Sequence, residues 1–217
     1  FNIVEDLKNH KNIVVVALSK TTVDDIYKRV IDTKIKGLKA IRYTSMTDDA
    51  QKVDLTDVNN LWSAMNFVIY SPTIEAGLSF DKEHFHKMYC FLSGGSCSPR
   101  SFLQMMGRIR VLEEQEIQCC HEKSMIYTGK KTYIPSINEV EEMIVGNKHM
   151  TVNQQFVDTG NGIFKLELKK DAFTRTFAHN YLENYEKNVR FLPVLKELIC
   201  ENKWRYCIEN INGATNE

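Results

Sequence analysis

The sequence predicts an α/β fold, a mostly parallel sheet flanked by helices, with a mainly helical extension after it. Three observations carry this expectation. Asn12 to Ser19 (N-I-V-V-V-A-L-S) is a short, unbroken, β-branched run of the kind that forms a strand buried on both faces. Further short apolar runs recur up to Thr128, separated by helix-patterned or polar stretches, which is the spacing of strand-helix alternation. After about Lys131 the texture changes to longer helical patterns, so the chain is expected to divide into a lobe at 1–131 and an extension at 132–217.

Each element follows from its local residues. Thr21 is placed to cap a helix from Thr22 to about Thr33. Asp24 and Asp25 lie in its first turn and Lys28 and Arg29 further on, the charge order a helix dipole favours. Val23, Ile26, Tyr27 and Val30 give that helix one apolar face. Gly37 separates it from an alternating strand, Lys39 to Thr44. A polar stretch, Ser45 to Leu55, leads to a short helix around Asp57 to Met65, then a third strand from Asn66 to Tyr70. His86 to Leu92 is a fourth strand and feeds Ser93 to Arg110, where Ser98-Pro99 reads as an N-cap with proline at the first helical position. Arg100 to Met106 continues as helix, Gly107 ends it, and further strand lies within Glu116 to Thr128.

In the extension, Ser136-Ile-Asn-Glu139 is a capping box opening a helix to about Gly146. Gln155 to Leu168 reads as a hairpin around Gly160-Asn161-Gly162. Helices near Lys170 to Asn188 and Phe191 to Glu201 follow. Phe173, Phe177, Tyr181, Tyr185 and Phe191 could stack nucleic-acid bases, but their spacing of four fits better one buried stripe against the first lobe.

Composition bounds the function. Twenty-eight basic residues balance 28 acidic ones, so any nucleic-acid site must be local rather than global. No apolar run has the length of a membrane helix and no signal pattern opens the chain, which leads to an expected intracellular, reducing location. The first residue is Phe1, as expected of a piece of a longer protein. The six cysteines contain no C-x-x-C pair. Cys119-Cys120-His121 has metal-ligand chemistry, yet neighbours on a strand face opposite ways, so reduced thiols and no metal site are expected.

The local exception lies between Glu83 and Glu113, where no acidic residue occurs while Lys87, Arg100, Arg108 and Arg110 do. Two guanidinium groups beside a glycine-marked helix end suit phosphate oxygens, although a solvated cationic helix face would have the same composition. Ligands of open α/β sheets bind at loops following strands, and three such loops here carry suitable groups. Ser19-Lys20 follows the first strand, S-P-T-I-E-A-G the third, and the loop after the fourth leads to Gln104, Arg108 and Arg110.

In that order, L-S-K, Y-S-P-T-I-E-A-G-L-S-F and Q-M-M-G-R-I-R resemble motifs IV, V and VI of superfamily 2 helicases, which occupy the second RecA-like lobe. The likeness is greatest to the replication origin-binding-protein helicases of large DNA viruses and covers roughly residues 10–128. The resemblance implies a RecA-like fold and a share in ATP-dependent DNA unwinding. It implies that Arg108 or Arg110 is an arginine finger, with Gln104 beside them at the nucleotide. It also implies that Gly77, Ser79, Asp81 and Gly107 approach the nucleotide, and that Ser19, Lys20, Ser45, Ser71, Thr73, Ser93 and Gly94 contact the DNA backbone. Many superfamily 2 members have G-R-x-x-R, one residue longer than the G-R-x-R here, so the resemblance leaves open which arginine is the finger. Spacing to the glycine likewise points to Ser71 rather than Thr73 as the motif V hydroxyl.

The chain contains neither a G-x-x-x-x-G-K-[ST] phosphate loop nor a D-E-x-[DH] box. ATP and magnesium are therefore expected to be bound mainly by a first lobe, and this chain alone is expected not to hydrolyse ATP. The implied partners are single-stranded or forked DNA, that first lobe, and a primase or other replication proteins; a homo-oligomer is also compatible. A different class of function is a degenerate, non-motor RecA-like module that docks a primase, polymerase or other replication partner.

Overall fold

The apolar runs of the first part become β1 (Ile13–Ala17), β2 (Ala40–Tyr43), β3 (Phe67–Tyr70), β4 (Lys87–Leu92) and β5 (Ile117–His121) in the computed structural model. The structure describes residues 2–48, 54–73, 78–93, 96–121, 135–146, 154–169 and 171–208. The five strands form one sheet in the order β2-β3-β1-β4-β5, and every adjacent pair is parallel. With helices on both faces, this is the expected RecA-like α/β fold. The chain crosses β1 between β3 and β4, so strand order reverses there, and the loops at the carboxyl ends of these strands flank a topological switch point.

The period-two pattern of the strands sorts the core into two layers. Ile13, Val15, Ala17, Phe67, Ile69 and Tyr89 pack with α1 (Ile3–Lys8) and α2 (Lys20–Asp32) through Ile3, Leu7, Val23 and Val30. Val14, Val16, Val68, Tyr70, Met88 and Cys90 face the other way, toward α3 (Val58–Ser63) and α4 (Pro99–Met106). Trp62 of α3 is fully buried there. It stacks on Tyr70 at 5.8 Å between centroids and donates from Nε1 to the Tyr43 hydroxyl at 3.2 Å. Asp57 caps α3, its side chain accepting from the Asn60 N–H at 3.3 Å.

Charged and polar groups fasten the amino-terminal edge of the sheet. Lys11 lies 2.7 Å from Glu114 and 3.6 Å from Asp6, and Lys87 reaches the same two carboxylates at 3.3 and 3.6 Å. Tyr89 donates to Asp6. The Lys11 hydrogen bond, then Lys87, hold Glu114 below the usual carboxylate range, and Glu114 holds Lys11 above the usual amine range. His84 and His86 act as polar struts: the Asn12 N–H donates to His86 Nδ1 at 2.9 Å, and His84 Nε2 bonds the Met65 carbonyl at 2.7 Å. Lys87 is thereby neutralised at this edge and does not share a cationic patch with Arg108 and Arg110.

The chain divides into two units, one comprising Phe1–Ile126 and Phe191–Glu217, the other Tyr127–Arg190. This differs from the expected boundary, because α7 (Phe191–Glu201) belongs to the first unit rather than to the extension. Phe191 and Leu195 join the core around Phe102 of α4, with the Phe102 and Phe191 rings 6.5 Å apart. Burying these side chains against α4 outweighs sequence proximity to the preceding helix.

The second unit contains α5 (Ile137–Gly146), the antiparallel pair β6 (Gln154–Asp158) and β7 (Phe164–Leu168), and α6 (Ala172–Val189). Ser136 and Glu139 form the capping box reciprocally, the Ser136 N–H donating to Glu139 at 2.8 Å and the Glu139 N–H to Ser136 Oγ at 3.3 Å. Gly160, Asn161 and Gly162 turn the hairpin with φ of 93°, 62° and 74°. The expected single aromatic stripe is not formed. Phe177 and Tyr181 pack with Val140 and Ile144 inside this unit, Phe173 is exposed, and Phe191 serves the other core. A stripe continuous in sequence is divided where α6 ends and α7 begins.

Candidate functional site

The carboxyl edge of the sheet collects a serine after each of the strands β1 to β4. Ser19 follows β1, Ser45 follows β2, Ser71 follows β3 and Ser93 follows β4, all at the same edge because the strands are parallel and in register. Ser45 is exposed, whereas Ser71 and Ser93 are buried. Ser71 and exposed Thr73 exchange a hydroxyl hydrogen bond at 3.0 Å, so the two form one unit rather than alternatives. Gly77 and Gly94 lie outside the described residues.

The first of these loops differs in detail from expectation. Helix α2 begins at Lys20, not Thr22; Ser19 stays extended as the N-cap and its side chain makes no capping hydrogen bond. The strand therefore hands over to the helix without an intervening turn. Lys20 pairs with Asp24 at 3.3 Å, and Asp24 also receives Arg42 Nη1 at 2.7 Å. One carboxylate between two cations leaves this corner net positive. Arg42, stacked over the Tyr27 ring at 5.1 Å, is a cation at this edge that sequence reading passed over. Its signal was present, a charged residue in an otherwise apolar strand. Thr44 was missed too: its Oγ1 accepts from the Met46 N–H at 3.3 Å and shapes the loop holding Ser45.

A second constellation forms where the chain returns toward β4 and β5. The Phe80 N–H donates to the Arg108 carbonyl at 2.8 Å, and the Arg110 N–H to the Phe80 carbonyl at 2.9 Å. This isolated parallel bridge, Phe80 to Ile109, lays L-S-F-D beside G-R-I-R although about 30 residues separate them in sequence. Helix α4 sets the register. Ser98 caps it by accepting from the Ser101 N–H at 3.2 Å, and the Tyr70 hydroxyl donates to the Met105 carbonyl at 2.8 Å near its end. Burial pushes the Tyr70 hydroxyl well above the ordinary tyrosine range, so it remains a donor there.

The two arginines differ in surroundings. Arg108 is half-buried and donates from Nη1 to the Leu78 carbonyl at 3.1 Å. Arg110 is exposed and donates from Nε to Ser79 Oγ at 3.1 Å, while Ser79 donates to Asp81 at 2.7 Å. Asn59 of α3 accepts the Asp81 N–H at 2.9 Å. Gln104 is exposed on α4. Gly107 has φ −67°, and a Cβ there would meet the Leu103 and Gln104 carbonyls at 3.4 and 3.6 Å, ordinary contacts. The fold itself does not demand glycine at that position.

Guanidinium, hydroxyl and backbone groups suit phosphate oxygens. The constellation's one carboxylate, Asp81, is turned to Ser79, which is not a donor set for magnesium. Elsewhere, Cys119 stands opposite Cys90 in the β4–β5 ladder, with Cys120 opposite Phe91 and so on the other face. The bond from Cys90 holds the Cys119 thiol low, and burial pushes the Cys90 thiol up. Among the described residues no group of three or more histidine, cysteine or acidic side chains is disposed to hold a metal.

The family model described as origin of replication binding protein matches residues 44–202, a span that includes the bridged constellation, all of the second unit and part of the first. The chain belongs to the origin of replication binding protein family. Within this family's neighbourhood it is 42% identical over 209 residues to an Acanthamoeba polyphaga mimivirus protein named as a replication origin-binding protein, covering 89% of this chain and 25% of that protein. A second mimivirus protein, named as a helicase, is 34% identical over 214 residues, with 89% of this chain and 20% of that protein covered. African swine fever virus (strain Badajoz 1971 Vero-adapted) has a protein named as a helicase/primase complex protein, 29% identical over 154 residues, 70% of this chain and 14% of that protein. This origin-binding-family chain thus spans about a fifth to a quarter of the mimivirus relatives it matches.

Proposed function

We propose that the chain is the C-terminal motor lobe, with its appended unit, of an ATP-dependent DNA helicase used in viral genome replication. The observation that carries this reading is the Phe80–Ile109 bridge, which sets the Ser79 and Asp81 segment against Arg108 and Arg110. Half a phosphate site results, cationic and without a magnesium box. The names of the mimivirus and African swine fever virus relatives agree with it.

In this reading Arg110 is the arginine finger. It is the exposed one of the pair, whereas Arg108 spends its side chain bracing Leu78. Gln104, exposed on the preceding helix α4, and Gly107, which the backbone does not require, leave room for a nucleotide to approach. ATP with magnesium, held mainly by a first lobe, supplies the phosphoryl group and its neutralising metal. The residues of this chain orient and stabilise charge that develops on the transferred group, a contribution of roughly 10³–10⁵ in rate for a finger.

The hydroxyl row of Ser19, Ser45, Ser71, Thr73 and Ser93, with Lys20 and Arg42, forms the DNA-backbone contact. Such contacts carry no base identity, so binding is sequence-independent and falls with salt. Closure of two lobes over ATP couples the arginines to the DNA-gripping edge.

The test is DNA-stimulated ATP hydrolysis by the full-length protein and by this chain alone. The full-length protein hydrolyses ATP, this chain alone does not, and Arg110→Ala in the full-length protein removes turnover while DNA binding persists. A full-length protein without ATPase activity, yet binding primase or polymerase, would mark the non-motor docking module instead.

A further inference from the structure

We infer that Ser79 and Asp81 are positioning residues for Arg110 rather than nucleotide contacts; the inference rests on the proposed role of Arg110. The bond directions favour it. Ser79 has one hydroxyl hydrogen, and it is committed to Asp81 at 2.7 Å. Its oxygen lone pair is thereby turned to Arg110 Nε at 3.1 Å. A serine so engaged has no hydrogen left to donate to a phosphate or ribose oxygen. Holding a guanidinium by Nε leaves the planar Nη1/Nη2 fork pointing away from its support, the geometry needed for two-point contact with an oxyanion.

Asp81 is itself anchored. Its N–H donates to Asn59 Oδ1 at 2.9 Å, and the residue before it, Phe80, carries both backbone bonds of the bridge to the arginine segment. Phe80 is fully buried against Trp62 at 5.9 Å. The relay therefore starts in the core, runs through Asp81 and Ser79, and ends on an otherwise exposed, flexible side chain. Restricting that side chain before the nucleotide arrives removes rotamer entropy that would otherwise oppose binding in the transition state.

Positioning and contact predict different kinetics. Loss of a contact made equally in ground and transition states raises KM; loss of a group that aims the finger lowers kcat. In the full-length protein, Ser79→Ala lowers kcat for ATP about tenfold, the rate equivalent of one charge-assisted hydrogen bond, and leaves the ATP KM within about twofold. Asp81→Ala does the same. Ser79→Thr, which keeps the hydroxyl, restores kcat. Lys82→Ala, in the same loop but bonded to Asn60, is the matched control and keeps both parameters.

The deciding comparison uses an Arg110→Lys background, where the charge remains but the Nε donor is gone. There Ser79→Ala has no further effect, because partners in one relay are not additive. A tenfold loss in both backgrounds, or a raised KM with kcat intact, overturns the relay and returns Ser79 and Asp81 to direct nucleotide contact. Unaltered turnover in Arg110→Lys and Arg110→Ala is a separate result: it removes the finger assignment itself, and the relay with it.

Discussion

At the scale of residues, two neighbours that look equivalent in G-R-I-R have different work. Arg108 is half-buried and bonds a backbone carbonyl; Arg110 is exposed and rests on Ser79. Sequence showed two arginines at a helix end but could not separate them, because the difference arises from a segment some 30 residues earlier. Gly107 was legible as a helix end, but its reason was not: it sits at φ −67°, where any residue fits. Gly107→Ala is therefore expected to fold normally and to gain about 0.4–1 kcal/mol from a less flexible unfolded chain. On the proposed placement of Gly107 at the nucleotide, the same change should impair ATP turnover in the full-length protein, because the added methyl group would take up space there. Thermal denaturation together with steady-state kinetics checks both halves; a destabilised protein would mean that the backbone itself needed the glycine.

At the scale of elements, strands were the easiest to read. Each of the four runs from β1 to β4 was placed to within two residues at either end: burial on both faces writes a continuous apolar signature in β1 and β3, and the edge strand β2 was legible from its alternation. Helix starts were harder. Thr21 looked like a cap, yet Ser19, two residues past the end of β1, is the extended N-cap and α2 begins at Lys20, so packing of the strand decided the boundary. The destination of α7 was invisible for a different reason: amphipathic periodicity reports that a face is buried, not against what. Phe191→Ala is expected to cost about 3–5 kcal/mol, as for a phenylalanine removed from a packed core. The loss belongs to the first unit and should appear as earlier urea unfolding of a probe near α4. Unchanged unfolding of that unit would show that α7 is not part of its core.

At the scale of the whole molecule, a chain with no net charge concentrates its electrostatics at separate places. Lys11, Lys87, Asp6 and Glu114 balance one another at the amino edge, while Arg108 and Arg110 bond the Leu78 carbonyl and Ser79 elsewhere. The sequence displayed Lys87 as part of one cationic run; only the fold assigns it to the ion cluster. The cluster has a pH signature. Glu114 is held below its ordinary 4.5, so its contribution to stability is full above that value and disappears as pH falls through the lower folded value. Lys11 is held above its ordinary 10.5, so its contribution is full below that and is lost as pH rises through the higher folded value. Comparing melting temperatures of wild type and Glu114→Gln across pH, wild type is expected to be the more stable at pH 7, with the gap closing in acid below about 4.5. A gap independent of pH would assign the effect to shape rather than charge.

The central claim, that this lobe presents one bracing and one catalytic arginine, is tested most directly by pairing Arg108→Ala with Arg110→Ala. Turnover of ATP by the full-length protein and the melting temperature of this chain are measured for each. Arg110→Ala is expected to lose roughly 10³-fold or more in kcat while the melting temperature stays within about a degree, as for an exposed side chain. Arg108→Ala is expected to lower the melting temperature by several degrees, because a buried carbonyl loses its charged donor. If Arg110→Ala turns over ATP at the wild-type rate, or only Arg108→Ala removes catalysis while leaving stability intact, the assignment of the two arginines is wrong.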